Sequence, residues 1–144
     1  MKRSLFATIA ALCLLTLAAS AQAQTSTTLN VHLPFEFEAG DTTLPAGDYS
    51  VRRVGANGLL LRSADGRTKA VVQAPLARRG RDGAQAPRLV FRRYGDRHFL
   101  AQVWMHTSGA GRELYKSDAE RRLVRELKTA PAAARPAEVV VAAR

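Results

Sequence analysis

Seven arginines of this 144-residue sequence lie between positions 78 and 97, where they surround the aromatic side chains Phe91 and Tyr94. The acids within the same stretch are Asp82 and Asp96, which leaves a local formal charge of +5. Guanidinium groups interleaved with aromatic rings are typical of surfaces that bind polyanions. The candidate contact residues are Arg78, Arg79, Arg81, Arg88, Arg92, Arg93, Arg97 and Tyr94.

The same arginines also have a purely structural interpretation. Charged side chains on the exposed face of a hairpin protect it from pairing with other chains. The pattern by itself favours this interpretation, because it names no partner. Both interpretations stay open at the level of sequence.

The three histidines, His32, His98 and His106, are not spaced to share a metal ion. His98 and His106 stand roughly 26 Å apart if the strand between them is straight. Neither a His-x-His nor a His-Glu-x-x-His pattern occurs. We therefore expect no metal site and no cofactor.

Catalytic patterns are also missing from the sequence. No Gly-x-Ser-x-Gly elbow surrounds Ser108, and Gly109-Ala110-Gly111 lacks the third glycine of a dinucleotide loop. Glu36 and Glu38, roughly 7 Å apart along a strand, have a separation that suits glycoside hydrolysis. No aromatic platform for a sugar accompanies this pair, so a solvated strand face is the better interpretation. The sequence predicts a protein that is not an enzyme.

Residues 1–23 have the pattern of a signal peptide. Lys2 and Arg3 give a positive start, Leu5–Ala19 give an apolar run, and Ala21-Gln22-Ala23 fits a cleavage site. Removal of these two cations, with no acid among residues 1–23, lowers the formal charge from +10 to +8. We expect a basic mature protein that begins at Gln24, has no further membrane span, and is periplasmic or secreted.

The one cysteine of the sequence, Cys13, lies inside this apolar run. Leu12 precedes it and further apolar residues follow it, which argues against a lipoprotein signal. The predicted mature chain therefore has neither a disulfide nor thiolate chemistry.

The stretch from 88 to 105 predicts a β-hairpin, because two aromatic and branched runs flank Gly95-Asp96. A three-residue loop, Gly95-Asp96-Arg97, would set Leu89 opposite Val103 and Phe91 opposite Ala101. One face of the hairpin would then hold Leu89, Phe91, Phe99, Ala101, Val103 and Met105. The other face would hold Val90, Arg92, Tyr94, His98, Leu100, Gln102 and Trp104.

The residues before the hairpin predict further antiparallel strands. Residues 29–39 alternate between apolar and polar side chains as one strand, which is at an edge or bulges at Pro34. A turn at Pro45-Ala46-Gly47 leads into a strand with Tyr49 and Val51 inward and Arg52 outward. Short strands near 59–62 and 70–74 complete a meander.

After the hairpin, Ser117-Asp118-Ala119-Glu120 predicts a capping box at the start of a helix over about 118–128. The Ser117 hydroxyl would accept from the Glu120 amide, and the Glu120 carboxylate would return to the Ser117 amide. Pro131 and Pro136 prevent the helix from continuing. We expect a disordered Ala/Pro tail over 130–144, with an edge strand at 138–141 as the alternative.

These motifs, taken in order, resemble a group of small exported proteins of soil bacteria. The resemblance covers about residues 28–127 and implies no activity. The Leu-Pro-Ala-Gly-x-Tyr piece is also similar to strand starts in transthyretin-like and other β-sandwich modules. The motifs that carry the resemblance are Pro34-Phe35-Glu36-Phe37, Leu44-Pro45-Ala46-Gly47-Asp48-Tyr49, Leu89–Asp96, Phe99-Leu100, Val103-Trp104 and Gly111-Arg112-Glu113-Leu114.

The sequence thus predicts a mainly β domain over 24–129, with one antiparallel barrel-like sheet or sandwich of about six strands and one C-terminal helix. The predicted function is non-catalytic binding or structural support outside the cytoplasm. The expected partner is an anionic envelope or extracellular polymer rather than cytoplasmic nucleic acid. The alternative is a small-ligand carrier, whose cavity Phe35, Phe37, Phe91 and Trp104 would line.

Overall fold

The computed structural model describes residues 27–75, 86–105, 111–129 and 136–143, so the predicted signal peptide lies outside the described residues. One helix, α1 (Asp118–Thr129), follows most of the strands in the described chain. The mainly β class is confirmed, with ten strands in the described part of the chain instead of about six. They are β1 (Thr28–Leu33), β2 (Phe37–Ala39), β3 (Thr42–Leu44), β4 (Gly47–Val54), β5 (Gly58–Ser63), β6 (Lys69–Gln73), β7 (Arg88–Tyr94), β8 (Arg97–Trp104), β9 (Gly111–Glu113) and β10 (Ala137–Ala142).

Four strands form an antiparallel sheet, sheet A, in the order β1-β4-β5-β6. Its last three strands are the predicted meander. Tyr49 and Val51 are buried on the inner face of β4, and Arg52 is exposed on the outer face, as predicted. β1 is an edge strand of the sheet, which agrees with one of the two alternatives that Pro34 indicated.

The predicted strand over residues 29–39 is divided at Pro34. β1 ends at Leu33, and the chain resumes at Phe37 as β2 in the second sheet, sheet B. Proline lacks the amide hydrogen that a ladder needs, and its fixed φ favours a change of direction. Leu33 and Phe37 are both buried, so a single alternating run supplies apolar side chains to two sheets.

Sheet B has the strand order β10-β7-β8-β2-β3, with β9 also paired to β8. β2 runs parallel to β8, and the other pairs are antiparallel. Within the described residues neither sheet closes into a barrel, since β1 and β6 are edges of sheet A and β10 and β3 are edges of sheet B.

Both sheets bury apolar side chains in one hydrophobic core. At its centre, Phe37 packs edge-to-face against Phe91 from sheet B at 5.5 Å and against Tyr49 from sheet A at 5.3 Å between ring centroids. Such aromatic pairs add about 1 kcal/mol each beyond the burial of their area. The core therefore joins the two sheets directly.

The hairpin of β7 and β8 is confirmed, but its loop has two residues rather than the predicted three. Tyr94 pairs with Arg97, which leaves Gly95 and Asp96 as the turn. Gly95 has a φ of 59°, the positive value that a type II′ turn requires at its first central position. Leu89 lies opposite Val103 as predicted, but the prediction that Phe91 lies opposite Ala101 is wrong, because its partner is Leu100.

A β-bulge at Ala101 explains how the shorter loop still leaves Leu89 opposite Val103. The register shifts between Val90 and Phe91, so Ala101 is an extra residue on β8. Its carbonyl accepts a hydrogen bond from the Leu114 amide at 2.8 Å, which satisfies the displaced backbone.

The bulge also changes the predicted faces of β8. Between the turn and the bulge, Leu100 lies with Phe91 on the core side of the sheet. Phe99 lies instead with Tyr94 on the opposite side, at 5.8 Å between ring centroids. The predicted sides of His98, Phe99 and Leu100 are therefore wrong, because a one-residue change in register moves each side chain to the other face.

Helix α1 is confirmed within one residue of its predicted end. Ser117 accepts the amide of Glu120 at 3.1 Å, as the capping box predicts. The predicted return of the Glu120 carboxylate to the Ser117 amide is wrong. The carboxylate instead binds Arg92 and Tyr94 of sheet B, where charge-assisted bonds are stronger than a bond to an amide.

The disordered tail predicted over 130–144 is wrong for residues 137–142, which form β10 on the edge of β7. Val139 and Val141 pack against the core, and the Ala143 amide donates to the Pro87 carbonyl at 3.0 Å. The prediction failed because the tail forms its backbone hydrogen bonds with β7, a strand that is distant in the sequence. Residues 130–135 and 144 lie outside the described residues.

Candidate functional site

Two of the predicted contact residues, Arg92 and Tyr94, are bound internally by Glu120. Nε and Nη2 of Arg92 donate to the two carboxylate oxygens at 2.6 and 3.0 Å, and the Tyr94 hydroxyl donates at 3.1 Å. The side chains of Glu120 and Arg92 are only 1% and 14% exposed. Both predicted residues therefore attach α1 to sheet B and are not free to contact a polymer.

Burial raises the pKa of the Tyr94 hydroxyl, and the nearby Glu120 carboxylate raises it further. An ionised phenolate would place a second negative charge beside a buried carboxylate. The hydroxyl thus stays protonated and donates its hydrogen bond to Glu120 over the ordinary pH range.

Arg88 and Arg97 are also engaged within the fold. The Arg88 guanidinium lies over the Trp104 ring, 4.8 Å from its centroid. Arg97 pairs with Glu38 at 2.5 Å and lies 5.1 Å from the Phe99 ring centroid. These contacts fix the direction of both side chains, although Arg97 is still about half exposed, at 48%.

The remaining predicted arginines do not complete one surface. Arg93 is exposed and pairs across the strands with His98, on the side of β7 opposite Arg92. Arg78, Arg79 and Arg81 lie outside the described residues. The structure therefore does not bring the described members of the predicted set into one cationic face.

A different group of cations shares the outer face of sheet A. Arg62 pairs across the strands with Lys69, and Arg52 lies one row away on β4. We call the two adjacent rows of this face the outer patch. It consists of Thr28, Arg52, Leu60 and Val71 in one row and Asn30, Ser50, Arg62 and Lys69 in the next.

The outer patch is cationic because it holds Arg52, Arg62 and Lys69 and no carboxylate. All three cations are exposed. Neighbouring strands are about 4.8 Å apart and alternate residues about 6.8 Å apart, so the three Cα atoms lie within roughly 12 Å of one another. The patch can therefore present three positive charges to one ligand.

The acids nearest to the outer patch already have partners. The Asp48 carboxylate lies 2.8 Å from Nδ1 of His32, within hydrogen-bond distance. Asp65 accepts from the Ser63 hydroxyl at 2.5 Å and from the Arg67 amide at 3.0 Å. The Ser63 bond, followed by the Arg67 amide, lowers the pKa of Asp65. Neither carboxylate is placed to neutralise Arg52.

The outer patch continues into a groove of about 780 Å³ along the edge strand β1. Asn30 and Ser50 belong to both, and Ala142 of β10 lines the groove together with β1 and β4 residues. Among the described residues, the groove is lined by Asp48 and by no arginine or lysine, so the cationic contact is confined to the outer patch.

Sequence reasoning missed the outer patch because its cations come from three different strands. Arg52, Arg62 and Lys69 become neighbours only through the register of β4, β5 and β6. The alternation of side chains in each strand could have shown that these three cations point outward. The exact turn lengths were also needed, and these were not fixed by composition.

The candidate catalytic and metal-binding residues are dispersed. His32 lies on sheet A beside Asp48, whereas His98 lies on sheet B and stacks on Phe35 at 4.0 Å. In the chain segments that the structure describes, no group of three or more His, Cys, Asp or Glu could hold a metal ion. Glu38 is paired with Arg97, and His106 and Ser108 lie outside the described residues.

His98 is held in an environment that favours its neutral form. Burial lowers its pKa, and the charge of Arg93 lowers it further. Its Nδ1 atom is buried without a hydrogen-bond partner among the described residues. The ring thus serves mainly as an aromatic neighbour of Phe35.

The four side chains predicted to line a carrier cavity do not surround a common space. Phe35 and Phe37 both contact Phe91 edge-to-face, at 5.3 and 5.5 Å. Trp104 lies elsewhere, under Arg88 and over Gly111, where an added Cβ would come within 2.7 Å of the indole. This packing argues against the carrier alternative.

Comparison of the chain with protein-family models, with curated proteins and with solved structures finds no match. Among the described residues, no helix is both long and apolar enough to cross a membrane. The function must therefore be argued from the chemistry of the two sheets.

Proposed function

We propose that this chain is an exported, non-catalytic protein that binds an anionic polymer of the periplasm or the cell exterior through the outer patch. The observation that carries the proposal is the group of three exposed cations in two acid-free rows of sheet A. In this proposal the two sheets form a sandwich that serves as a rigid support, and the open face of sheet A is the contact surface.

The proposed export rests on the sequence pattern of residues 1–23. It also agrees with the resemblance of the ordered motifs to small exported β-rich proteins of soil bacteria, a group in which we place the chain as part of this proposal. Mass spectrometry of protein from the envelope and medium should find an N-terminus at Gln24. Recovery of the intact Met1 form from the cytoplasm would contradict export.

A polymer suits the outer patch better than a small anion does. The cations are exposed and spread over three strands, so each makes a solvent-screened contact worth about 0.2–1 kcal/mol. Three such contacts together give only weak binding to one site. A polymer that engages the patch repeatedly gains from the high local concentration of anionic groups.

The direct test is retention on immobilised heparin or lipopolysaccharide as a function of salt. A variant with Arg52→Ser, Arg62→Ser and Lys69→Ser should bind roughly tenfold or more weakly than the wild type. Binding of the wild type should weaken as ionic strength increases, because these contacts are exposed to screening.

The matched control carries Arg93→Ser, Arg122→Ser and Lys128→Ser, which removes the same charge from exposed positions outside the patch. Its affinity should fall much less than that of the patch variant. Equal losses in the two variants would show that net charge, and not the outer patch, determines binding. Retention that does not depend on salt would contradict polyanion binding altogether.

A further inference from the structure

A groove of about 420 Å³ lies beside β6, on the opposite edge of sheet A from β1. One wall is formed by Val71 and Gln73 of β6, and the other by the segment from Leu114 to Asp118 that leads into α1. The residues between β2 and β3, including Gly40, complete it. We call this space the edge groove.

The β6 wall of the edge groove is an open strand edge. β6 pairs with β5 on one side and has no strand partner on the other side within the described chain. The backbone N–H and C=O groups along such an edge are arranged to pair with another extended chain. A small apolar ligand cannot satisfy this repeating set of donors and acceptors.

Exposed apolar side chains are concentrated at the edge groove. Val71 and Tyr115, at 65% and 71% exposure, are two of the four large hydrophobic residues exposed in the described chain, and both line the groove. Apolar groups clustered beside an open edge mark an interaction site more strongly than isolated ones do. The groove thus offers both backbone pairing and apolar contact.

The charges around the edge groove favour an acidic ligand. Among the side chains that line it, Asp41 and Asp118 balance Lys116 and Arg121, and Asp118 pairs with Arg121, so the excess positive charge comes from the neighbouring Lys69. Lys69 at one end of β6 and Lys116 in the opposite wall are exposed, and neither has an ion pair in the described part of the chain. A second copy of this basic chain would bring the same cations together, which disfavours self-pairing.

We propose that the edge groove binds an extended, acidic peptide segment of a partner protein, which adds as a further strand to β6. Its backbone pairs with the open edge of β6, an apolar side chain lies between Val71 and Tyr115, and flanking carboxylates lie near Lys69 and Lys116. This peptide site differs in ligand and geometry from the polymer contact, and it shares Val71 and Lys69 with the outer patch.

A labelled ten-residue peptide in which valine alternates with glutamate or threonine tests the proposal by fluorescence anisotropy. Its affinity should fall at least tenfold for Val71→Lys and for Tyr115→Ser. Both side chains are mostly exposed, so these variants retain the fold. The matched control Val54→Lys changes another exposed valine, outside the edge groove, and should leave affinity within twofold of the wild type.

Two further probes test the mode of binding. A peptide with proline at alternate positions lacks the required backbone donors and should bind at least tenfold more weakly. Bound peptide should also slow the exchange of β6 amide hydrogens in the wild type. Equal binding of the proline peptide, or unchanged affinity in Val71→Lys, would overturn the proposal.

The test also separates the edge groove from the outer patch. Tyr115→Ser should reduce peptide affinity and leave heparin retention unchanged, whereas Arg52→Ser with Arg62→Ser should do the reverse. A dimer in sedimentation equilibrium that is lost in Val71→Lys would show that a second copy occupies the groove, and would overturn the assignment to a peptide.

Discussion

The cations on sheet B and those on the outer patch of sheet A differ in what surrounds them. On β7 and β8, Arg92 forms an ion pair with Glu120 and Arg97 forms one with Glu38, and the Arg88 guanidinium lies over the Trp104 ring. On β4, β5 and β6, the cations Arg52, Arg62 and Lys69 lie in rows without a carboxylate. The first group is bound within the fold, and the second is exposed to solvent.

This difference shows that the density of arginine along a sequence does not identify a contact surface. The stretch from 78 to 97 is the most arginine-rich part of the chain, yet distant segments supply acids to its hairpin, and the hairpin's own aromatic rings lie against Arg88 and Arg97. Glu120 reaches Arg92 from 28 residues further along the chain. A charged side chain is available for binding only where the tertiary structure brings it no partner.

The largest expected effect is the loss of stability when Arg92 is replaced. Arg92→Met leaves the Glu120 carboxylate buried without its charge partner, which should lower the free energy of unfolding by about 3 kcal/mol. Arg52→Met on the outer patch should change it by less than about 0.5 kcal/mol. Urea unfolding of the two variants measures the contrast, and similar losses in both would remove the distinction between the two groups.

The second expected effect is recovery in a double variant. Replacing both partners, Arg92→Met with Glu120→Leu, removes the unpaired charge as well as the ion pair. We expect the double variant to regain about 2 kcal/mol of the unfolding free energy lost in Arg92→Met. A double variant less stable than either single variant would mean that the pair itself, and not the cost of an unpaired charge, dominates.

A smaller effect is expected for Tyr94→Phe, which removes the hydrogen bond to Glu120 and should cost about 1 kcal/mol. The folded state raises the pKa of Tyr94 above its ordinary value of 10.0, so this stabilisation is present below pH 10 and is lost as pH rises through the folded pKa. The thermal midpoint of the wild type should therefore fall more steeply above pH 10 than that of Tyr94→Phe.

Tyr49 provides the comparison on sheet A. Burial also raises the pKa of the Tyr49 hydroxyl, so Tyr49 contributes its own loss of stability above pH 10. The Tyr94→Phe variant should therefore still lose some stability at alkaline pH, and Tyr49→Phe should lack the contribution of Tyr49. Identical alkaline profiles for the wild type and Tyr94→Phe would contradict the role assigned to the Tyr94–Glu120 contact.

The smallest expected effect is an acid-dependent loss of stability at His98. Its pKa in the folded state is lowered from 6.5, so its contribution is present above pH 6.5 and is lost as pH falls through the folded pKa. His98→Phe keeps an aromatic ring beside Phe35 but does not titrate. Its thermal midpoint should fall less than that of the wild type between pH 7.5 and 5, and parallel profiles would exclude His98 as the source.

Much of the fold followed from local patterns. The alternation in β1 and β4, the Gly95-Asp96 turn region and the Ser117 cap were all predictable, because each depends on residues close together in the sequence. The prediction of the hairpin loop failed by one residue, since the bulge at Ala101 is stabilised by the distant Leu114 amide. A local pattern contains no information about that bond.

The candidate site was less predictable than the fold. The sequence grouped the aromatic and arginine residues of the hairpin as a candidate contact surface, but it could not show that Glu120 would bind Arg92 and Tyr94. It also could not place Arg62 next to Lys69, which depends on the register of β5 and β6. The net charge is a sum over the sequence, whereas the availability of a charged side chain for binding depends on which groups surround it in the folded structure.

The sequence by itself determined that this chain forms strands with one apolar face, one capped helix and a strongly basic surface, because side-chain alternation and capping act over a few residues. Only the tertiary structure decided that the alternating run divides at Pro34 between two sheets, and that residues 137–142 pair with β7. It also decided which cations are bound internally. These outcomes depend on contacts between distant segments, whose free energies combine only when the two sheets and the helix share one core.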